Sequence, residues 1–517
     1  MSDNIFGIEG IWQLLEERAN RSGDRTMLID PKAARQFSFR QVRDWAERVA
    51  AGLAELGVVE GTPVTWLLPT RVETVVASFA LSRLGAVQNP IIHIYRDKEV
   101  GFCLRQTNAQ MVLVPGEWSG FDYTAMVERV TADLELRPTI IDAYKSLPEG
   151  NPATLPELPT PPKNPDEAPI RWIYFTSGTT SDPKGVKHSD ATLIAGGVGL
   201  AKALDMSADD VGSIGFPYAH IGGPDYMITM LTSGFPAILI EKFVLDDVIS
   251  ALKEYGGTMA GGSTAFYTMF LAEQRKNPET PLIPSLRMLS GGGAPKPPEV
   301  YFEVKAEMGI PVAHGYGMTE CPMIAQGSPH DSDEQLANSE GHPVQGCEVS
   351  IVGDDDELLS PNTEGEIRVA GPMLFRGYTD ESLMEGAFDD SGRFRTGDLG
   401  EMDADGYLTL TGRLKDVIIR KGENISAKEI EEVLYAHPAV AGVAVIGLPD
   451  PERGERVCAV VESNPEVDRF TFDELRRTCS NAGLMQQKIP EQLEIVEALP
   501  RNATMKILKH ELRDRFA

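Results

Sequence analysis

Cysteine is scarce in this sequence, with five residues among 517. The five are widely scattered, and no two have the spacing of a metal-ligand pair: Cys103, Cys321, Cys347, Cys458 and Cys479. This pattern argues against a disulfide framework and a structural zinc site. Residues 1–6 also lack the basic and then apolar pattern of a signal peptide. We therefore expect a protein of the reducing cytoplasm.

Basic residues are also few, since the chain has 48 lysines and arginines against 77 aspartates and glutamates and a net charge of −29. Such an excess of negative charge opposes nucleic acid or an anionic membrane surface as a general partner. A long apolar run is missing as well. The best candidate, residues 221–240, contains Asp225 and two prolines. We expect it to be core, and we expect no integral membrane segment.

What the sequence does contain is length and apolar content, since 42% of its residues are hydrophobic. A chain of this size predicts at least two domains. Apolar residues at helical spacing predict helices over 11–19, 42–56 and 72–84, and strands are predicted over 63–68 and 111–114. This alternation predicts parallel α/β layers. The last hundred residues, with strands over 443–448 and 457–461 and a helix over 472–482, predict a small α+β domain.

A loop rich in hydroxyl groups follows the predicted buried strand 172–175. It combines glycine, hydroxyl side chains and one lysine in the order Thr176, Ser177, Gly178, Thr179, Thr180, Ser181, Asp182, Pro183, Lys184. Glycine brings backbone N–H groups close to a ligand, hydroxyls donate hydrogen bonds, and Lys184 adds a positive charge. The loop therefore suits phosphate oxygens, although it is not a Walker A loop. The alternative is an ordinary polar surface loop.

A second motif runs from His314 to Glu320, with Tyr316 between two glycines. An aromatic face suits a purine, and a carboxylate supplies the hard oxygen that Mg²⁺ prefers. The alternative is a packed tyrosine and a helix-start carboxylate. Three shorter segments follow: 396–400 with Asp398, 413–416, and 500–507 with Lys506. Taken alone, Asp398 could be a turn residue and Lys506 a surface charge.

In this order, these motifs resemble those of the adenylate-forming superfamily, and the resemblance spans nearly the whole chain. It implies an α/β fold with a large N-terminal domain of layered α/β subdomains (1–412), a hinge (413–416) and a small mobile α+β domain (417–517). It implies ATP or AMP binding by Thr176, Ser177, Gly178, Thr179, Thr180, Lys184, Gly293, Ala294, Pro295, Gly315, Tyr316, Gly317, Met318, Thr319, Asp398, Arg413 and Lys506. Within that set it implies catalytic roles for Lys506, Thr179, Lys184 and Glu320, with Glu320 and Thr179 as magnesium ligands.

The resemblance also implies the remaining sites. The hinge residue is Lys415, and the CoA-binding residues are Lys421, Gly422 and Glu423. The acyl pocket is formed by His220, Gly222, Gly223, Gly261, Gly262, Gly291, Gly292 and Met318. So many glycines predict a wide, uncharged pocket for a bulky apolar monoacid, such as an alicyclic, steroid-side-chain or long-chain fatty acid. The alternative is that the glycines only permit tight turns.

Two residues depart from the family pattern, because Ser181 and Met505 stand where glycines are usual. A left-handed backbone at either position would be strained. The expected function is an ATP-dependent acyl-CoA ligase that uses Mg²⁺ and coenzyme A and activates a small-molecule carboxylic acid through an acyl-adenylate. The alternatives are a fatty-acyl-AMP ligase that loads a carrier protein and a non-catalytic nucleotide-binding relative. A homodimer is the assembly we consider.

Overall fold

The computed structural model describes residues 5–8, 10–158, 167–176, 183–294, 296–420, 423–451, 453–465, 467, 469–502 and 505–517, with backbone only at 423–424. The described residues form these α-helices: α1 Ile11–Ser22, α2 Phe39–Glu55, α3 Val72–Leu84, α4 Asp97–Thr107, α5 Tyr123–Asp133, α6 Asp190–Ala203, α7 Gly222–Ser233, α8 Leu245–Tyr255, α9 Thr264–Arg275, α10 Pro298–Met308, α11 Asp333–Asn338, α12 Ala427–Tyr435, α13 Phe472–Asn481 and α14 Lys509–Phe516.

The strands of the same described residues are β1 Thr26–Asp30, β2 Arg35–Ser38, β3 Pro63–Trp66, β4 Val87–Pro90, β5 Met111–Val114, β6 Glu117–Trp118, β7 Phe121–Asp122, β8 Thr139–Asp142, β9 Trp172–Thr176, β10 Lys184–His188, β11 Gly212–Ile214, β12 Ala237–Leu239, β13 Met259–Gly262, β14 Met288–Gly292, β15 Val312–Met318, β16 Cys321–Gln326, β17 His342–Pro343, β18 Glu348–Val352, β19 Gly365–Ala370, β20 Phe394–Met402, β21 Leu408–Arg413, β22 Ile418–Arg420, β23 Glu423–Ile425, β24 Val440–Asp450, β25 Gly454–Ser463 and β26 Gln492–Val496.

Two sheets of the large domain combine parallel strands with helical connections. One has the order β10-β9-β4-β3-β5-β8, and its strands from β9 to β8 are parallel. The other has the order β13-β14-β15-β16-β17, and its first three strands are parallel. Parallel strands place their carboxyl ends at one edge, where ligands bind in open α/β sheets. The phosphate-loop segment follows β9, and β13 and β14 each end in a pair of glycines.

The remaining sheets complete the large domain and build the small one. Two four-stranded sheets have the orders β11-β12-β1-β2 and β18-β19-β20-β21. The C-terminal sheet has the order β23-β22-β25-β24, and β26 lies parallel beside β25. Helices α12 and α13 pack on this sheet around an apolar cluster of its own. The predicted fold class, a large layered α/β domain followed by a smaller α+β domain, is confirmed.

Local sequence signals account for many element boundaries. Helix α3 begins at Val72 and ends at Leu84 as predicted, because Gly85 takes the left-handed conformation with φ +67°. Helix α2 begins earlier than its apolar pattern predicts, because Ser38 accepts a hydrogen bond from Gln41 N and the two residues form a capping box. The earlier start of α2 is a change of boundary and leaves the predicted layers intact.

The apolar stretch at 221–240 lies in the core, as expected. It forms the buried helix α7 and strand β12. Burial raises the pKa of Asp225 well above its usual value, so this carboxyl group is neutral within the helix. Among the described residues, no helix has both the length and the apolar character needed to cross a membrane.

Candidate active site

The turn between β15 and β16 carries Glu320, the predicted magnesium ligand. The hydroxyl of Tyr378 donates a hydrogen bond to Glu320 Oε1 at 2.9 Å, and Phe375 N donates to the Glu320 carbonyl at 2.8 Å. The neighbouring Thr319 carbonyl lies 2.7 Å from His188 Nε2. Burial lowers the pKa of His188 to about 4, so its ring is neutral and Nε2 carries the proton in this bond. The backbone and the carboxylate of this turn are thus held from several sides.

Lys184 lies at the start of β10, directly opposite Thr176 at the end of β9. The two strands are antiparallel and flank the phosphate-loop segment, so both predicted residues stand at its base. Lys184 Nζ lies 5.3 Å from the centre of the Tyr378 ring, within cation–π range. Tyr378 therefore contacts both Lys184 and Glu320, two residues that the sequence motifs placed in separate segments.

Tyr316, Asp398 and Arg413 form one connected group. Asp398 is only 1% exposed, and its carboxylate accepts from the Tyr316 hydroxyl at 2.7 Å and pairs with Arg413 Nε at 2.7 Å. Asp398 lies within β20, opposite Arg413 of β21, and is therefore a strand residue. Burial, followed by the charge of Asp398, raises the pKa of Tyr316 well above its usual value. The tyrosine hydroxyl therefore stays protonated and donates to Asp398.

Lys506 reaches this group from the C-terminal domain. Burial lowers its pKa to about 8, the positive charge of Arg413 lowers it further, and Asp398 acts in the opposite sense. Burial lowers the pKa of His220 to about 4, and the charge of Lys506 contributes to that shift. Lys506 thus lies within electrostatic reach of both Asp398 and His220, which come from distant parts of the large domain.

The backbone of Lys506 is held by Asn502. Asn502 N donates to the Lys506 carbonyl at 2.9 Å, and Lys506 N donates to Asn502 Oδ1 at 2.9 Å. Met505 adopts φ +65°, the left-handed conformation that glycine accepts without cost. The departure from the family pattern therefore falls where the backbone requires a glycine-like conformation, and Met505 takes that conformation with strain.

Ala294, one of the predicted ATP-binding residues, is held by a buried histidine. His314 Nε2 lies 2.9 Å from the carbonyl of Ala294, and His314 Nδ1 lies 3.2 Å from the Tyr267 hydroxyl. Burial lowers the pKa of His314 to about 3, so Nε2–H donates to Ala294 and Nδ1 accepts from Tyr267. Gly293 has φ +78°, as a close turn requires.

Of the predicted acyl-pocket glycines, those at 261, 262, 291 and 292 lie at the ends of β13 and β14, whereas Gly222 and Gly223 begin helix α7. A Cβ at Gly261, Gly291 or Gly292 would lie 2.1–2.5 Å from a backbone carbonyl oxygen of a neighbouring strand. These glycines therefore allow close approach of backbones. A Cβ at Gly262 would lie 3.1 Å from Phe266 and one at Gly222 would lie 3.5 Å from Phe216. The glycines alone do not make the pocket wide, and aromatic rings fill part of the space beside them.

Sequence reasoning missed the residues that hold the site from behind: His188, Tyr267, Phe375 and Tyr378. They lie between the recognised motifs, and no spacing singles them out. Other predicted residues lie outside the described residues: Ser177, Gly178, Thr179, Thr180, Ser181, Pro295, Lys421 and Gly422. The side chain of Glu423 is also not described, so the geometry of the predicted CoA site stays open.

Comparison with known proteins decides the family. The model described as "AMP-binding enzyme" matches residues 15–379, and the model of its C-terminal domain matches residues 429–506. The chain belongs to the AMP-binding enzyme family. Its two matched regions correspond to the large α/β domain and the small domain described above.

Relatives of this AMP-binding enzyme align over nearly its whole length. It is 30% identical over 516 residues to a long-chain-fatty-acid–CoA ligase of Mycobacterium tuberculosis, covering 99% of both chains. It is 31% identical over 502 residues to a 2-succinylbenzoate–CoA ligase of Bacillus velezensis, covering 97% of each. The solved structure of ATP-bound MatB from Rhodopseudomonas palustris is 26% identical with a TM-score of 0.86, over 98% of this chain and 99% of that one.

These matches confirm the expected superfamily and enzyme class, so the chain is an AMP-binding enzyme of the acid–thiol ligase class. The roles assigned to individual residues stay predictions, even where the geometry brings the residues together. The exact domain limits, the cytoplasmic location and the homodimer also stay predictions.

Proposed function

We propose that this AMP-binding enzyme is an ATP-dependent acyl-CoA ligase. The observation that supports it best is the buried group formed by Tyr316, Asp398 and Arg413, in which three predicted nucleotide-binding residues from separate motifs meet. In the proposed first step, the carboxylate of an acid attacks the α-phosphate of ATP, the α–β bond breaks, and pyrophosphate leaves. In the second step, the CoA thiol attacks the acyl-adenylate and forms the thioester, releasing AMP and one proton.

No side chain acts as a nucleophile in this scheme, so the protein contributes position and charge. Lys184 is assigned to the β- and γ-phosphates, since it stands at the base of the phosphate-loop segment. Asp398 is assigned to the ribose hydroxyls, and Arg413 neutralises that carboxylate from its other side. Lys506 is assigned to the negative charge that develops on the α-phosphate. Because burial lowers its pKa to about 8, its positive charge is lost progressively as the pH rises through 8.

The donor set around Glu320 fits Mg²⁺ carried by a nucleotide. Among the described residues, no group of three or more His, Cys, Asp and Glu side chains could hold a metal ion. Mg²⁺ is commonly held by one or two carboxylates together with substrate phosphates, so a single carboxylate suffices. Tyr378 occupies Glu320 Oε1 and leaves Oε2 for the ion. When bound, Mg²⁺ would neutralise phosphate charge.

The second step would require a different face of the small domain. We assign Lys421, Gly422 and Glu423 to the path of CoA and Lys415 to the hinge. In the present arrangement, Arg513 of α14 pairs with Asp416 at 2.7 Å, so the segment after Arg413 is tied to the small domain. Rotation about this segment would withdraw Lys506 and present the CoA face to the adenylate.

For the acid, we propose a bulky, mostly apolar monoacid. Phe243 and Phe266 pack edge to face at 4.7 Å, and the predicted pocket residue Gly262 lies against Phe266. Aromatic walls favour an aliphatic or ring-containing tail and supply no charge for a second carboxylate. Relatives named for long-chain and medium-chain fatty acids are consistent with this class.

The decisive experiment measures pyrophosphate release and thioester formation over a panel of acids, with and without CoA. The panel contains acetate, octanoate, a cyclohexane carboxylate and a steroid acid. We expect acid-dependent pyrophosphate release, CoA-dependent thioester, and kcat/KM that rises with apolar size, because each buried methylene adds about 0.8 kcal/mol. A preference for acetate would contradict the apolar pocket. Release of pyrophosphate without acyl-CoA would instead favour the carrier-protein alternative.

A single variant tests the assignment of the CoA path. Gly422→Leu should leave acid-dependent pyrophosphate release nearly unchanged and block thioester formation, because a side chain there would fill the path of the thiol. Thioester formation from a supplied acyl-adenylate measures the second step alone, and it should be blocked in the same variant. Equal loss of both half-reactions would show that Gly422 does not serve CoA alone.

A further inference from the structure

One short segment of the large domain connects the two predicted ATP-binding motifs. We call residues 375–379 the bridging segment. Its Thr379 N donates to the Gly185 carbonyl at 2.7 Å, so the segment is fastened to β10 immediately after Lys184. Its Phe375 N donates to the Glu320 carbonyl at 2.8 Å. The bridging segment is therefore bonded to the base of the phosphate-loop segment and to the Glu320 turn.

Tyr378 lies in the middle of this segment and is 3% exposed. Its hydroxyl donates to Glu320 Oε1 at 2.9 Å, and the face of its ring lies 5.3 Å from Lys184 Nζ. One side chain thus touches the carboxylate assigned to the metal and the ammonium assigned to the phosphates. Among the ion pairs between described residues, none involves Lys184 or Glu320.

This arrangement addresses a physical problem of the site. Lys184 and Glu320 carry opposite charges and contact the same tyrosine, so they attract each other. Pairing between them would take both charges away from the nucleotide and its metal. A tyrosine between them offers the ammonium a ring face and the carboxylate a hydroxyl donor, so each charge has a neutral partner.

We propose that Tyr378 is a positioning residue for the metal–nucleotide complex. Its hydroxyl holds one oxygen of Glu320 and directs the other toward Mg²⁺, while its ring keeps Lys184 apart from Glu320. This inference rests on the proposed function for its ligands and assigns a role to a residue outside the recognised motifs. A simple packing role would predict only a loss of stability, since Tyr378 also packs against Phe375 with ring centres 4.7 Å apart.

The test separates the hydroxyl from the ring. Tyr378→Phe keeps the ring face and removes the donor, whereas Tyr378→Leu removes both. The readout is Mn²⁺ binding in the presence of a non-cleavable ATP analogue with a methylene between the α- and β-phosphorus atoms, followed by electron paramagnetic resonance. We expect roughly ten-fold weaker Mn²⁺ binding in Tyr378→Phe, with unchanged binding of the analogue in EDTA. Tyr378→Leu should weaken binding of the analogue even in EDTA.

Tyr301→Phe is the matched control. Tyr301 is fully buried and donates to the carboxylate of Asp333 at 2.6 Å, so it forms a buried tyrosine–carboxylate bond that involves neither Glu320 nor Lys184. Loss of the Tyr301 hydroxyl should leave Mn²⁺ binding as in the wild type. If Tyr378→Phe also binds Mn²⁺ like the wild type, or if Tyr301→Phe weakens it equally, the positioning role is overturned.

A double-mutant cycle distinguishes an effect of Tyr378 through Glu320 from a general loss of stability in the Tyr378 variants. If the tyrosine acts through Glu320, then Tyr378→Phe should have no further effect on Mn²⁺ binding in a Glu320→Gln background. Additive effects would contradict the inference. These titrations need no acid or CoA, so they decide the role of Tyr378 even if the wild type activates no acid, which would count against the proposed function instead.

Discussion

The pH dependence of the adenylation step should report the protonation of Lys506. Burial lowers the pKa of this amine to about 8, from an ordinary value of 10.5, with a further contribution from Arg413. A group with this pKa is roughly nine-tenths protonated at pH 7 and one-tenth protonated at pH 9. Removal of a positioned charge donor costs about 10²-fold in rate. We therefore expect kcat/KM for acid-dependent pyrophosphate release to fall roughly ten-fold between pH 7 and pH 9.

The profile of kcat/KM is the right measurement because it reports the free enzyme. His220 should not interfere, since its pKa of about 4 keeps the imidazole neutral over this range. Lys506→Arg keeps its full positive charge over this range and should show no fall between pH 7 and pH 9. Lys506→Ala should be about 10²-fold slower and equally flat, while thioester formation from a supplied acyl-adenylate survives.

The same pKa shift has a consequence for stability with the opposite sign. The folded pKa of Lys506 lies below its ordinary value, so the unfolded chain binds more protons between about pH 8 and pH 10.5. Stability contributed by this group therefore rises with pH over that window, while adenylation declines. The catalytic assignment of Lys506 fails if kcat/KM of Lys506→Arg falls between pH 7 and pH 9 as it does in the wild type, because another group would then be responsible.

Three further substitutions test the site. Asp398→Asn should raise KM for ATP by about ten-fold and lower the free energy of unfolding by about 1–3 kcal/mol, because it removes the negative charge that pairs with Arg413. Calorimetry measures ATP binding and urea unfolding measures stability. Unchanged ATP binding would contradict the assignment. Met505→Gly should change the free energy of unfolding by less than about 0.5 kcal/mol, because relief of the strain at φ +65° is offset by the greater entropy of glycine in the unfolded chain. Met505→Val should lower it by about 1–2 kcal/mol in urea unfolding, since a β-branched residue fits this φ poorly. Phe266→Ala should shift kcat/KM toward larger acids; an unchanged order across the panel would remove Phe266 from the acyl pocket.

The sequence by itself determined the layers, the bounds of α3 and β5, and the motif residues. Helix α3 and strand β5 have the predicted bounds, because apolar spacing and Gly85 act locally. The order of the motifs indicated the superfamily before any contact was known. It also marked Met505 as a departure, and the positive φ at that residue gives the departure a physical meaning.

Only the tertiary structure decided which side chains support those motifs. The motifs assigned Asp398 to the nucleotide and left a turn residue as the alternative, and strand pairing is what places it opposite Arg413 and buries it against the Tyr316 hydroxyl. No sequence pattern marks Tyr378 as a site residue, because its proposed role depends on contacts with Glu320 and Lys184, which are far from it in the chain. Contacts between distant segments depend on how strands pair and loops return. Local pattern carries no information about them, since periodicity and turn preference extend over only a few residues.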